Sequence, residues 1–567
     1  MNHMRHTLTI FCVCLCGTLS AARAEVTTAG LFGHQMVLQQ GMPVPVWGFA
    51  KPGEKVTVRF GRSTAQTITG ADGKWLVRLP PLRANSVGTN LVVQGANTLT
   101  FTNVLVGDVW ICSGQSNMEF GFLNIAKKEA IVDPQIRTFC VLKSASLTPV
   151  DNTESIPPEV GLDTQMGHWQ MENPGGPWGG FSAIGYLFAK EIRQQTQNPV
   201  GLIGSYWGGT PAQAWLSLAA LEKEPILTNY VDGFRTMKPE QRQKFPVKWV
   251  DYILAMQKWN RDSREPYEKS KREWEVAAQQ AKAAGQPAPP PPQMAFPRPA
   301  DPGCVGTTTS LFNGMIHPLI PYAIKGVIWY QGEANTYNGA EYGVLFPALI
   351  KDWREKWNQP PSPGSGASGH DFPFLFVQLA GWGSGAGRWA ALREGQTKAL
   401  ALPNTGMAVA IDVGDKQDIH PRNKLPVAHR LALAAEHIAY GKNIIYQGPT
   451  YDSLKLDQNR LRVSFKNIGS GLVIGSAPLL PGQPPAPTPL ALDGFSIAGT
   501  NRQWYAATAV IQGASVIVAH EQVAEPVAVR YAWGDYPPCN LYNKEGLPAV
   551  PFRTDDWDPQ TTVAPAK

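Results

Sequence analysis

Two stretches, far apart in the chain, carry a hydroxyl and an imidazole in settings that suit hydrolysis. Residues 104–120 read VLVGDVWICSGQSNMEF, an apolar β-branched run that stops abruptly at small polar residues. Such a run reads as a buried strand of a parallel sheet, and a serine just past it sits where open α/β sheets place their chemistry. Ser116 is the candidate nucleophile. On this stretch alone the other reading stands, that Ser113 or Ser116 caps the following helix. Residues 412–421 read DVGDKQDIHP, with His420 just after a second apolar run and among three aspartates. A hydrolytic serine needs a neutral imidazole to take its proton, and a carboxylate that fixes the imidazole tautomer assists. Asp418 is the nearest orienter and Asp415 the reserve. A metal site is the rival reading, but no second histidine lies nearby and no CxxC or Cys/His cluster occurs.

Two further clusters follow apolar runs. Gly204 to Thr210 reads GSYWGGT, in which Gly208 and Gly209 allow backbone N–H groups to point into a site and stabilise an oxyanion. Trp329 to Asn335 reads WYQGEAN. The neutral amides of Gln331 and Asn335 suit a developing alkoxide, and Glu333 suits a role in orienting the loop. With Gln115 they complete the candidate oxyanion and substrate-binding set. His317, in FNGMIHP, is expected to pack below the site. No metal and no organic cofactor is required by this set.

These clusters need a scaffold. From residue 104 to about 445 strand and helix patterns alternate, with strands expected at 104–112, 136–143, 199–206, 325–331, 372–380 and 406–413. In 181–194, Ile184, Leu187, Phe188 and Ile192 share one helical face, and a second helix runs on from His420 through Val427, Leu431 and Ala434. Alternation of this kind predicts an α/β domain, a parallel sheet flanked by helices. Residues 25–103 carry short β runs separated by turns such as Pro52-Gly53 and Asp72-Gly73, and predict a small sandwich in which Pro45 keeps its strand at an edge. Residues of about 222–305 interrupt the pattern with a charged helical segment and the run Pro289 to Pro292, expected to be an exposed insertion with an extended linker. From 446 to 567 the grammar returns to β, with an aromatic and proline-rich tail expected to pack on the catalytic domain.

Composition narrows the rest. The 567 residues are 43% hydrophobic and 17% charged, which fits a folded chain of several domains. The formal charge of +6, or +4 without Arg5 and Arg23, is too weak and diffuse to imply nucleic acid. Arg5 and His6, the apolar run from Leu8 to Leu19 and the sequence Ala22-Arg23-Ala24 predict a signal peptide cleaved after Ala24, hence an exported, periplasmic or secreted protein. No later stretch is long and apolar enough to cross a membrane. Cys112, Cys140, Cys304 and Cys539 remain after cleavage and allow three pairings among which spacing does not choose.

The order serine, glycine, amide, histidine, each after a successive strand, resembles the SGNH hydrolases, relatives of the GDSL esterases. The local wording is similar to the sialate O-acetylesterase branch: GQSNMEF at 114–120, SYWGGTPAQAW at 205–215, SLFNGMIHPL at 310–319, WYQGEAN at 329–335, DIHPRNK at 418–424 and NLYNKEGLPAVPFRTD at 540–555. The resemblance implies an SGNH-type sheet and a serine esterase that removes acetyl groups from sugar hydroxyls, such as the 9-position of sialic acid. It implies Ser116 as nucleophile, His420 as base and Asp418 as its orienter. The backbone N–H groups of Ser116 and of Gly208 or Gly209 would form the oxyanion hole, with Gln331 or Asn335. Three departures mark the chain. Gln115 stands where aspartate is usual before the serine, QGEAN replaces GxND, and DIH replaces DxxH, which leaves a Ser-His dyad as an alternative. Acetylated xylan is the competing substrate, and a non-catalytic sugar-binding protein would have dispensed with Ser116 or His420.

Overall fold

The strand Thr98–Gly114 (β1) links two layers of the molecule. Its first half pairs antiparallel with Asn85–Gln94, and its second half is the centre of a parallel sheet, so the boundary expected at residue 103 falls inside one continuous strand. The protein is described by a computed structural model covering residues 25–125, 133–153, 166–171, 180–299, 305–361, 371–477 and 491–557. The expected leader 1–24 and Cys304 lie outside the described residues.

The fold is α/β. The parallel strands are β1, β2 (Ile136–Cys140), β3 (Val200–Tyr206), β4 (Gly326–Tyr330), β5 (Phe374–Gln378) and β6 (Thr405–Val409), in the spatial order β2-β3-β1-β4-β5-β6. A short antiparallel strand, Trp169–Gln170, borders β2. Every residue of β3, β4, β5 and β6 is buried, as the apolar runs require of a sheet covered on both faces. Register assigns the two faces. Trp110 packs its ring against Phe188 of α1 (Ala183–Thr196), with 5.0 Å between centroids. Ser113 and its neighbour Trp329 point the other way, and Trp329 stacks on Phe346 of α2 (Gly339–Trp357) at 6.2 Å. Helix α3 (Trp389–Thr397) packs on α2, and α4 (Leu425–Ile438) packs on α1. Because β3 and β4 flank β1 on opposite sides, the chain changes direction at β1, and this is where an open sheet leaves a crevice at its carboxyl ends.

The surrounding elements differ from expectation in two places. The strand Val44–Phe49 is not at an edge: Lys74–Leu79 pairs along it, and Thr27–Thr28 pairs with Gly48 and Phe49, leaving Pro45 beyond the second partner. In the insertion, the Pro-rich segment folds back on its own helices rather than running free, since Trp274 Nε1 donates to the Pro289 carbonyl at 2.7 Å and Trp259 Nε1 to Phe296 at 3.1 Å. Among the described residues the β strands of 450–553 form two four-stranded sheets and a two-stranded one. They meet the α/β region through Arg553 and Glu394, and through Asp535, whose carboxylate accepts the N–H groups of Gly387 and Trp389.

Candidate active site

Strand β1 ends at Gly114, whose φ is +131° and whose added Cβ would lie 2.1 Å from the Tyr330 carbonyl oxygen. Only glycine fits there, and the chain turns sharply as a result. Ser116 opens the short helix Ser116–Glu119, so its N–H has no acceptor within the helix. Neither serine of the motif is a cap. The N-cap position is Gln115, without a side-chain bond, and Ser113 Oγ donates to the Ser205 carbonyl at 2.5 Å. Ser116 Oγ instead lies 2.8 Å from His420 Nε2, at a separation of 304 residues in sequence.

His420 is half-buried. Burial first, and then the positive charge of Lys424, hold its imidazole below the usual histidine range, against the opposing pull of Asp418 and Glu119. A base that stays neutral is what the Ser116 hydroxyl requires. Asp418 Oδ1 is 3.6 Å from His420 Nδ1, beyond hydrogen-bond reach, while the same oxygen accepts the His420 backbone N–H at 2.8 Å. Asp415 stands further back and accepts the N–H groups of Gln417 and Asp418. Asp418 therefore shapes the loop and adds a carboxylate near the ring. Because its charge raises the His420 pKa, Asp418→Asn is expected to move the acid limb of kcat/KM to lower pH and to reduce kcat by about tenfold, less than loss of a hydrogen-bonded orienter costs. A pH–rate profile of the variant checks both.

The other expected site residues divide. Gly208 lies against the nucleophile, since a Cβ there would come within 3.2 Å of Ser116 Cβ, but its N–H donates to Glu119 Oε2 at 2.8 Å. Gly209, at φ +74°, provides the turn. Gln331 and Asn335 are buried and do not line the cleft. Gln331 Nε2 donates to Asn335 Oδ1 and the Thr210 carbonyl, and its Oε1 accepts from Tyr342. Asn335 Oδ1 accepts the Ala212 N–H, and its Nδ2 donates to Gln213. Both amides tie the β3 and β4 loops together rather than facing Ser116. Gln115 ties the turn after β1 to the β4 loop, with Oε1 accepting from Ala334 N at 3.2 Å. Glu333 is buried and accepts from Asn117 Nδ2 at 2.6 Å, and burial pushes its carboxyl up. His317 directs Nδ1 at the Val150 carbonyl.

A cleft of about 720 Å³ opens over Ser116 and His420. Its walls include residues that the sequence did not single out: Glu119, Lys143, Trp207, Trp249 and Arg422. Lys143 pairs with Glu119 and lies over the rings of Trp207 and Trp249 at 5.5 and 5.1 Å. Trp249 comes from the insertion, which thus contributes a wall of the site. Arg422 donates to the Asn124 carbonyl. Among the described residues no group of three or more His, Cys, Asp or Glu side chains is arranged to hold a metal ion. Cys112, Cys140 and Cys539 are free thiols. No helix of the described residues is long and apolar enough to cross a membrane.

A family model described as carbohydrate esterase, sialic acid-specific acetylesterase, matches residues 307–435. The chain is similar to the sialate O-acetylesterase of Rattus norvegicus, 34% identical over 463 residues that cover 76% of each chain. It is also similar to that of Homo sapiens, 32% identical over 76% of this chain and 74% of the other. Among solved structures, a carbohydrate acetylesterase from Xanthomonas citri matches with a TM-score of 0.70 and 34% identity, over 94% of this chain and 100% of that one.

Proposed function

The chain belongs to the sialate O-acetylesterase family, and on that premise we propose that it removes O-acetyl groups from sialic acids, 9-O-acetyl esters among them, through an acetyl-enzyme on Ser116. The observation that carries this reading is the 2.8 Å contact of Ser116 Oγ with His420 Nε2 on the floor of an aromatic-walled cleft. His420 takes the Ser116 proton as Oγ attacks the acetyl carbonyl. The carbonyl oxygen becomes an oxyanion, for which the Ser116 N–H is one donor and the Gly208 N–H, taken over from Glu119, is the other. The tetrahedral intermediate collapses, and the sugar hydroxyl leaves with the proton from His420. Water, deprotonated by the same imidazole, then cleaves the acetyl-enzyme to acetate. The sheet order, with Ser116 after β1 and His420 after β6, supports an SGNH-type arrangement. The expected leader supports export to the periplasm or the medium.

Lys143 is neutralised by Glu119, which leaves Arg422 as the cation of the cleft without a carboxylate partner among the described residues. A sialic acid carries a carboxylate, and an acetylated xylan does not. The test is acetate release by residues 25–567 from O-acetylated sialic acid and from acetylated xylan oligomers, side by side. Release from the sialic acid is expected, and Arg422→Ala is expected to raise its KM about tenfold, the worth of one charge-assisted hydrogen bond, while leaving a neutral acetyl ester unchanged. Release from xylan alone would keep the mechanism and overturn the substrate.

A further inference from the structure

One buried cluster beside the reacting pair takes no part in the steps above. Lys424 is 1% exposed, with its ammonium donating to Asn117 Oδ1 and lying over the rings of Phe120 and Tyr330 at 4.9 and 5.6 Å. Asn117 turns its other end to the carboxylate of Glu333, at 2.6 Å, and to the backbone carbonyl of Ile419, at 3.0 Å. A cation on one side and an anion on the other leave the amide a single orientation. That amide belongs to the residue after Ser116 and grips the residue before His420. It therefore sets the distance between nucleophile and base.

General stability does not account for a lysine here. Burial of an ammonium is costly, and Lys424 stands at the N-cap of α4, where the helix dipole disfavours positive charge. Burial holds its amine down at about 7, and the second oxygen of Glu333 is buried without a hydrogen-bond partner among the described residues. Buried polar groups left costly in this way are characteristic of functional sites.

We propose that Lys424 is a positioning residue for the esterase centre: its ammonium locks Asn117, which holds the His420 loop against Ser116. Among the described residues the charged groups facing His420 are Glu119 from the nucleophile helix, with Lys143 behind it, Asp418 and Arg422 from its own loop, and Lys424 from the N-cap of α4, with Glu333 behind it. Asp418 and Glu119 favour the imidazolium, and Lys424 opposes them. Lys424 is charged on the acid side of neutrality, where protonation of His420 would stop the reaction.

The inference rests on the serine-esterase reading, and 4-nitrophenyl acetate, an ester without a sugar, separates it from the identity of the substrate. The experiment is kcat/KM against pH for wild type, Lys424→Met and Lys424→Arg. The methionine variant is expected to show its acid limb at higher pH, with kcat/KM about tenfold below wild type on that limb and closer to it on the alkaline plateau. Arginine is expected to restore the limb. Lys424→Gln, which keeps a donor for Asn117 but no charge, carries the same expectation if the methionine variant does not fold. An unmoved limb in a folded uncharged variant, whether activity is intact or reduced equally at all pH values, overturns the inference. Activity like wild type in Ser116→Ala would instead overturn the function itself.

Discussion

Ser116→Ala is expected to lower kcat by roughly 10⁴- to 10⁶-fold on any acetyl ester the protein accepts. The reason is the single 2.8 Å contact that joins Oγ to His420 Nε2. Without the hydroxyl there is no acetyl-enzyme, and the remaining catalysis is what the backbone donors and the cleft give to direct attack by water. His420→Ala is expected to cost a similar factor, because Ser116 then has no base. The two changes together are expected to cost no more than either alone, since each disables the same step. The cleft walls stay in place in these variants, so substrate binding is expected to persist. Steady-state kinetics of the two single variants and the double variant check this. Additive losses would mean that serine and histidine act in separate steps.

The second large effect is on stability. Asp412 begins the loop that carries His420, and its carboxylate meets Arg430 of α4 in two hydrogen bonds of 2.7 Å each. Both side chains are almost wholly buried, at 1% and 4% exposed, and Tyr542 from the C-terminal strands donates to the same carboxylate at 3.1 Å. Asp412→Ala leaves a guanidinium buried without its counter-charge and an unpaired tyrosine hydroxyl. The expected cost is about 3–5 kcal/mol, read as a lower urea midpoint. Asp418→Ala, on an exposed carboxylate of the same loop, is expected to leave the midpoint nearly unchanged. The pair thus separates the loop's structural aspartate from the one that faces the imidazole.

Much of this was legible in the sequence for a physical reason. Strands buried on both faces read as unbroken apolar runs, so β1 to β6 announce themselves, and polar residues just past them mark the carboxyl edge. Helix α2 was missed. It is buried on nearly every side and contains Pro347, so neither a one-sided apolar stripe nor an uninterrupted helical pattern marks it. That Ser116 and His420 would meet followed from residue type and place in the loops. The roles of Gln331 and Asn335 did not, because type and spacing do not say which way an amide points. In the structure both amides are consumed in binding the β3 and β4 loops together. Trp249 reaches the cleft from an insertion, a contact no local pattern announces. Lys424 lay in the motif DIHPRNK and had a readable signal, a cation at the start of a helix where the dipole opposes it.

The most direct test of the central claim is to trap the acetyl-enzyme. The protein is mixed with 4-nitrophenyl acetate, quenched in acid within one turnover, digested and examined by mass spectrometry. One acetyl group on the peptide that contains Ser116, absent from Ser116→Ala, is the expected result. An acetyl group on another residue, or ester cleavage with no acetylated peptide at any quench time, would contradict the assignment of Ser116 as the nucleophile.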